Sequence, residues 1–193
     1  GEVLEVVPYN IGFRRIEIID KVMYLNGKRL VIVGVNRHEW NPKTGRNISV
    51  NDMVSDIACI KKNNINSVRT CHYPNQIPWY YMCDEAGIYV MAETNLESHG
   101  SWGKLGCIDP SWNVPGSVPQ WREAVVDRAR SNYETLKNHT SIIFWSLGNE
   151  SYGGDDIEAM NTYFKEKADG RLVHYEGSYY TREYEDTISD IES

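Results

Sequence analysis

Hydrophobic and polar positions along this 193-residue chain alternate between two patterns, short apolar runs and stretches with apolar residues three or four positions apart. The first pattern is typical of buried strands and the second of amphipathic helices. The spacing predicts helices over residues 52–62, 75–86, 121–137 and 156–168. It predicts strands over residues 30–35, 65–70, 88–92, 141–147 and 172–175.

Each predicted helix has one apolar face and recognisable end signals. The residues expected to face the core share helical spacing: Met53, Ile57 and Ile60; Val125, Ala129 and Tyr133; Ile157, Met160 and Phe164. Asn51 is available as the first N-cap, and Pro78 suits the first turn of the second helix. Gly87 and Gly170 are suited to end the second and fourth helices.

The start of the chain predicts a hairpin. Residues 16–19 and 30–35 are both β-rich, and Asn26–Gly27 between them is a strong turn dipeptide. The second run, LVIVGV, is apolar on both faces, which is typical of a parallel strand buried on both sides.

Strands that alternate with helices indicate an α/β fold with a parallel sheet. A polar cluster follows each strand, as at the mouth of a TIM (β/α)8 barrel, and no glycine-rich phosphate loop of a doubly wound sheet occurs. A barrel takes about 250 residues and eight strands. We therefore expect about five N-terminal βα units of a truncated barrel over residues 26–193, with residues 1–25 ending a preceding domain or linker.

Composition narrows the classes of function. The chain is 41% hydrophobic and 24% charged, with a net charge of −7 and scattered Lys and Arg, which disfavours nucleic-acid binding. No apolar stretch approaches the roughly 20 residues of a membrane helix, so no membrane partner is expected. The four cysteines form no CxxC pair, so we expect reduced thiols and a cytoplasmic location.

Glu150 is the candidate general acid. It follows the fourth barrel strand directly after Asn149, where apolar walls would disfavour its charged form and leave it a proton to donate. An exposed or salt-bridged loop carboxylate is the alternative on position alone.

Glu97 and His99 are candidate metal ligands. In extended backbone, residues two apart point the same way, so carboxylate and imidazole can meet one cation. A site that joins them to Glu150 is oxygen-rich and favours Mg²⁺ or Mn²⁺. An ordinary Glu–His surface pair is the alternative.

Further polar residues follow the other strands. His38 and His72 come after the first two barrel strands, where imidazoles can bind sugar hydroxyls, although each alone also suits a structural histidine. Arg69 can pair with or orient a carboxylate. Glu176 can support the site or contact a sugar.

Six tryptophans is a high number for this length. Trp102 and Trp112 lie in a loop over residues 100–120, which its length marks as functional, and aromatic faces there can stack on sugar rings. For Trp79, Trp121 and Trp145 we expect core packing.

Together, the segments GVNRHEWNP, SVRTCHYPN, ETNLESHG and IIFWSLGNES resemble β-galactosidases of glycoside hydrolase family 2, in the same order and spacing. The resemblance covers nearly the whole chain. It implies a retaining enzyme that cleaves terminal β-D-galactosides such as lactose, from a homo-oligomeric parent protein. It also implies a (β/α)8 catalytic domain preceded by β-sandwich domains, so that residues 1–25 would end a β-sandwich domain or a linker.

The resemblance also implies residue roles. Glu150 matches the acid/base, and Asn149 its neighbour that contacts the sugar. Glu97, His99 and Glu150 match Mg²⁺ ligands, and His38 and His72 match histidines that bind the galactosyl group and stabilise the transition state. The family's nucleophile ends the seventh strand, so we expect it beyond residue 193 and expect this chain alone to be inactive. A β-glucuronidase and a non-catalytic carbohydrate-binding or assembly module remain alternatives.

Overall fold

The computed structural model describes residues 1–101, 113–177 and 188–191. It contains two separate sheets. Strands β1 (Ile16–Ile19), β2 (Val22–Leu25) and β3 (Lys28–Arg29) form an antiparallel sheet. Strands β4 (Gly34–Arg37), β5 (Ser67–Thr70), β6 (Tyr89–Glu93), β7 (Ile142–Ser146) and β8 (Leu172–His174) form the second sheet.

The five strands of the second sheet pair in sequence order, and every neighbouring pair is parallel. Helices connect them: α1 (Val50–Lys62), α2 (Ile77–Ala86), α3 (Pro119–Leu136) and α4 (Asp155–Glu166), with a 3₁₀ turn at His99–Ser101. This order is that of successive βα units in a barrel, since a doubly wound sheet would reverse direction. The predicted α/β partial barrel is therefore confirmed.

The predicted hairpin is wrong in its pairing. Residues 16–19 pair with 22–25 around Asp20 and Lys21, both with positive φ, while Asn26–Gly27 turns β2 into β3. Left-handed backbone at Lys21 costs more than at glycine or asparagine, so residue type gave no sign of this turn.

The run LVIVGV is not a strand buried on both faces. Only Gly34 and Val35 of this run belong to β4, and Val31 and Val33 are 56% and 51% exposed. Because β4 lies at the edge of the described sheet, it has a strand neighbour on one side only. The Asn66 side chain holds the preceding segment, donating to the Val31 carbonyl and accepting from the Val33 N–H, each at 2.8 Å.

The helices lie within a few residues of their predicted bounds. The cap of α1 is Ser49 rather than Asn51, because Ser49 and Asp52 form a reciprocal capping box. Gly87 ends α2 in the left-handed conformation, as expected.

The core lies between the parallel sheet and its helices. All five residues of β7 are buried, and Trp145 stacks on Phe164 of α4 with ring centroids 5.4 Å apart. The expected inward residues are buried except Ile57, which is half-buried. Trp79 and Trp145 pack in the core as predicted, but Trp121 does not: it is 47% exposed in the first turn of α3. Trp102 and Trp112 lie outside the described residues.

No helix in the described residues is long and apolar enough to cross a membrane. Cys59, Cys71 and Cys83 are free thiols, while Cys107 lies outside the described residues.

Candidate active site

Polar side chains gather where the parallel strands end, because the carboxyl ends of such strands meet at one edge. We call this edge the rim. Its members follow or end successive strands: His38, Arg69, His72, Glu93, Glu97, His99, Asn149, Glu150 and Glu176.

The turn after β7 lies against the loop after β6. The Asn149 N–H donates to the Leu96 carbonyl at 2.8 Å, and Glu97 and Asn149 form a parallel bridge. Gly148 permits this contact: its φ is +155°, and an added Cβ would lie 2.5 Å from the Leu96 carbonyl oxygen. A side chain at position 148 would therefore displace one backbone from the other.

Asn149 links two charged side chains. Its amide oxygen accepts from Arg69 Nη2 at 3.0 Å, and its amide nitrogen donates to Glu97 Oε1 at 2.9 Å. The Asn149 residue is only 7% exposed. These two bonds fix which end of the amide faces which neighbour.

Glu150 lies beside His99. Its Oε2 is 2.7 Å from His99 Nδ1, and its backbone N–H donates to Glu176 Oε1 at 2.6 Å. The Glu150 backbone has φ of +36°, a conformation that costs energy for a residue with a Cβ. The expected apolar enclosure is not present in the described part of the chain, since the Glu150 side chain is 45% exposed.

His38 and His72 also come together, with ring centroids 5.3 Å apart in an edge-on arrangement. Burial, together with the charges of His72 and Arg46, lowers the pKa of His38. His38 Nδ1 lies 3.4 Å from the Tyr73 hydroxyl. A neutral imidazole can both donate and accept hydrogen bonds, as recognition of sugar hydroxyls requires.

Sequence reasoning gave Glu93 and His174 no role in this network. The Glu93 carboxylate is fully buried and pairs with Arg69 and His72. His174 Nδ1 lies 3.0 Å from Ser146 Oγ, and burial, assisted by the Arg69 charge, lowers the pKa of His174 to about 4. The available signal was position, since each ends a strand on the side where the other candidates lie.

Val114 lies against the segment that follows β6. The Val114 N–H donates to Ser101 Oγ at 3.2 Å, and the Ser98 hydroxyl donates to the Val114 carbonyl. The Ser98 N–H also donates to Ser151 Oγ at 3.1 Å. The segment that carries Glu97 and His99 is thereby held from both sides.

The expected Mg²⁺ ligands form two separate contacts, Glu97 with Asn149 and His99 with Glu150. Within the described ranges, no three His, Cys, Asp or Glu side chains form a group that could hold a metal ion. The residues as placed thus do not form a ready three-ligand site, and the Mg²⁺ prediction stays a prediction.

Relatives and solved structures resemble this chain along most of its length. A protein named β-galactosidase large subunit from Lactobacillus acidophilus is 69% identical over 100% of the chain, which covers 31% of that relative. A β-galactosidase from Streptococcus thermophilus is 57% identical over 100% of the chain, which covers 19% of it. The chain therefore spans under a third of the curated relatives it matches.

Among solved structures, a Ruminococcus gnavus β-glucuronidase in complex with uronic isofagomine superposes with a TM-score of 0.72 at 26% identity. The match covers 86% of this chain and 30% of that one. The family model described as the TIM barrel domain of glycosyl hydrolases family 2 matches residues 16–193. The chain therefore belongs to glycosyl hydrolase family 2, as part of its TIM barrel domain.

Proposed function

We propose that the full-length protein is a retaining β-galactosidase and that this chain supplies its acid/base residue, Glu150. The observation that carries the proposal is the meeting of Glu97, His99, Asn149 and Glu150 at one rim, although they come from loops after two different strands. Identities of 69% and 57% with proteins named β-galactosidase support the choice of sugar.

In the proposed reaction Glu150 first protonates the glycosidic oxygen as the bond to the anomeric carbon breaks. It then takes a proton from the water that hydrolyses the galactosyl intermediate. The Glu150 carboxylate is exposed, so a substrate that arrives from solvent can contact it. His99 Nδ1, 2.7 Å from Glu150 Oε2, restricts the orientation of the carboxylate. Asn149, Arg69, His38 and His72 bind the sugar around it.

Retention requires a second carboxylate about 5–5.5 Å from the acid, which attacks the anomeric carbon. Glu176 is a poor nucleophile candidate because its Oε1 accepts from the Glu150 backbone N–H. We propose that the nucleophile lies outside residues 1–193.

The test compares turnover of a chromogenic β-galactoside by the purified 193-residue chain and by the full-length protein. We expect activity from the full-length protein alone. Turnover at comparable rates by both would refute the claim that the nucleophile lies outside residues 1–193. Turnover by neither would refute the β-galactosidase assignment.

We also propose Mg²⁺, or Mn²⁺, as the cofactor, with Glu97, His99 and Glu150 as ligands. Carboxylate oxygens with one imidazole suit these cations. His99 Nδ1 and Glu97 Oε1 are engaged by Glu150 and Asn149, so cation binding requires those contacts to open. Dialysis against a chelator should lower activity of the full-length protein, and re-addition of Mg²⁺ should restore it.

A β-glucuronidase is the second candidate, favoured by the superposition on the Ruminococcus gnavus enzyme. Turnover of paired galactoside and glucuronide substrates by the full-length protein distinguishes the two. A non-catalytic carbohydrate-binding or assembly module would bind galactose with unchanged properties after Glu150→Gln. The homo-oligomeric state and cytoplasmic location remain predictions.

A further inference from the structure

Glu93 has no role in the reaction proposed above, yet its carboxylate lies at the centre of the rim. Its side chain has an exposed fraction of 0%. A carboxylate so buried is costly unless its oxygens accept hydrogen bonds or pair with a cation. The hydrogen-bond partners of Glu93 therefore explain why a buried carboxylate is tolerated at this position. They also show which side chains the carboxylate holds in place.

Three donors converge on this carboxylate. His72 Nδ1 lies 2.6 Å from Oε1, the Ser146 hydroxyl donates to Oε2 at 2.7 Å, and Arg69 Nε donates to the same oxygen. These donors belong to β5, the segment after β5, and β7. Glu93 thus ties β6 to the strands on both sides of it.

The acceptor character of the carboxylate determines the state of His72. An ionised carboxylate only accepts, so His72 Nδ1 must carry a hydrogen. Nε2 is then the ring nitrogen that His72 can offer to a substrate. A carboxylate that orients an imidazole in this way fixes its tautomer as well as its plane.

The same carboxylate controls Asn149 through Arg69. Arg69 donates to Glu93 through Nε and to Asn149 Oδ1 through Nη2, at 3.0 Å for the second bond. Because the guanidinium group is planar and rigid, fixing Nε fixes the direction of Nη2. The orientation of Asn149, the neighbour of Glu150, thus depends on Glu93.

We infer that Glu93 is a positioning residue, which orients His72 directly and Asn149 through Arg69. The catalytic part of this inference rests on the proposed function, in which His72 and Asn149 bind the sugar. The contacts themselves are testable without any turnover.

The kinetic test uses Glu93→Gln and Glu93→Asp in the full-length protein, with Glu134→Gln as the matched control. Glu134 is an exposed carboxylate of α3 that pairs with Lys137, so its loss leaves the rim intact. We expect Glu93→Gln to lower kcat on the order of 10²-fold, with a smaller change in KM, because misplaced groups chiefly lose transition-state contacts. Glu93→Asp keeps the charge and should recover part of the loss. A purely structural role would lower the melting temperature and leave kcat of the folded protein unchanged.

The second test determines which ring nitrogen of His72 carries the hydrogen, by ¹⁵N NMR of histidine-labelled full-length protein. The variant His72→Gln assigns the signal. We expect a hydrogen on Nδ1 in the unmutated protein and in Glu134→Gln, and loss of this preference in Glu93→Gln. If Glu93→Gln does not fold, the spectrum of the unmutated protein still shows whether His72 carries its hydrogen on Nδ1.

A neutral His72 with its hydrogen on Nε2, or a kcat for folded Glu93→Gln equal to that of Glu134→Gln, would overturn the inference. If the unmutated protein hydrolyses no galactoside, the proposed function is refuted. The His72 spectrum still tests whether Glu93 orients His72.

Discussion

Replacing Gly148 by alanine should separate the cost of backbone strain from the cost of a steric clash at the rim. Gly148 and Gly87 both have positive φ, at +155° and +67°. An added Cβ would meet nothing within 4 Å at Gly87, but would lie 2.5 Å from the Leu96 carbonyl oxygen at Gly148. Gly87→Ala is thus a control that carries the strain of the left-handed backbone without a steric clash.

The magnitudes follow from these two terms. Left-handed backbone costs a residue with a Cβ about 1–2 kcal/mol, which we expect for Gly87→Ala. Gly148→Ala adds overpacking of about 1–3 kcal/mol, because the loop after β6 must move away from the turn after β7. This movement would shift Asn149 and Glu150, and a shift near 1 Å can cost on the order of 10²-fold in rate.

Urea denaturation followed by tryptophan fluorescence measures the stability of both variants in the same background, and turnover of a chromogenic galactoside by the full-length protein measures the rate. We expect Gly148→Ala to unfold at lower urea than Gly87→Ala and to lose most of its activity. Equal midpoints with equal activity would refute the claim that Gly148 sets the spacing of the two loops.

Three further predictions concern titratable groups. Glu150→Gln should reduce turnover about 10²–10⁴-fold for substrates with poor leaving groups and much less for nitrophenyl galactosides, and equal losses for both would contradict a proton-donor role. Burial of neutral His174 lowers its pKa from 6.5 to about 4, so the unfolded state binds more protons in that window. Stability should therefore fall by up to about 3 kcal/mol as pH drops from 6.5 to 4, and His174→Asn, which keeps a donor for Ser146, should remove this dependence in urea titrations. Burial raises the pKa of Asp156 to about 6, and its Oδ2 has no partner in the described residues, so Asp156→Asn should be more stable than the unmutated protein at pH 7 and lose this advantage near pH 4. Equal stabilities at pH 7 would contradict a buried, uncompensated charge.

The alternation of strands and helices was predictable because it depends on local periodicity. The inward faces of α3 and α4 followed from helical spacing, and Gly87 marked the end of α2 through its conformational freedom. The hairpin was mispredicted because the turn places Lys21 at positive φ, which lysine seldom adopts. The exposure of Trp121 depends on which side of α3 the sheet covers, and residue type does not reveal this.

The site was predictable only in part, for a physical reason. Strand ends placed Glu97, His99, Asn149 and Glu150 at one edge, and the structure brings them into contact. Glu93 was missed because a carboxylate becomes a buried centre only when donors from other strands converge on it. Those donors are 21 to 53 positions away in sequence, so no local pattern indicates them.

The bonds from Ser98 to Val114 and from Val114 to Ser101 bear on protein engineering. These bonds hold Ser98 and Ser101 against Val114, so these positions stay close whatever the length of the chain between them. Doubling the length of a flexible chain between two fixed points costs only about 0.6 kcal/mol in chain entropy. A peptide inserted between residues 101 and 113 should therefore cost little stability, because the contacts that hold His99 and its neighbours lie outside the inserted stretch.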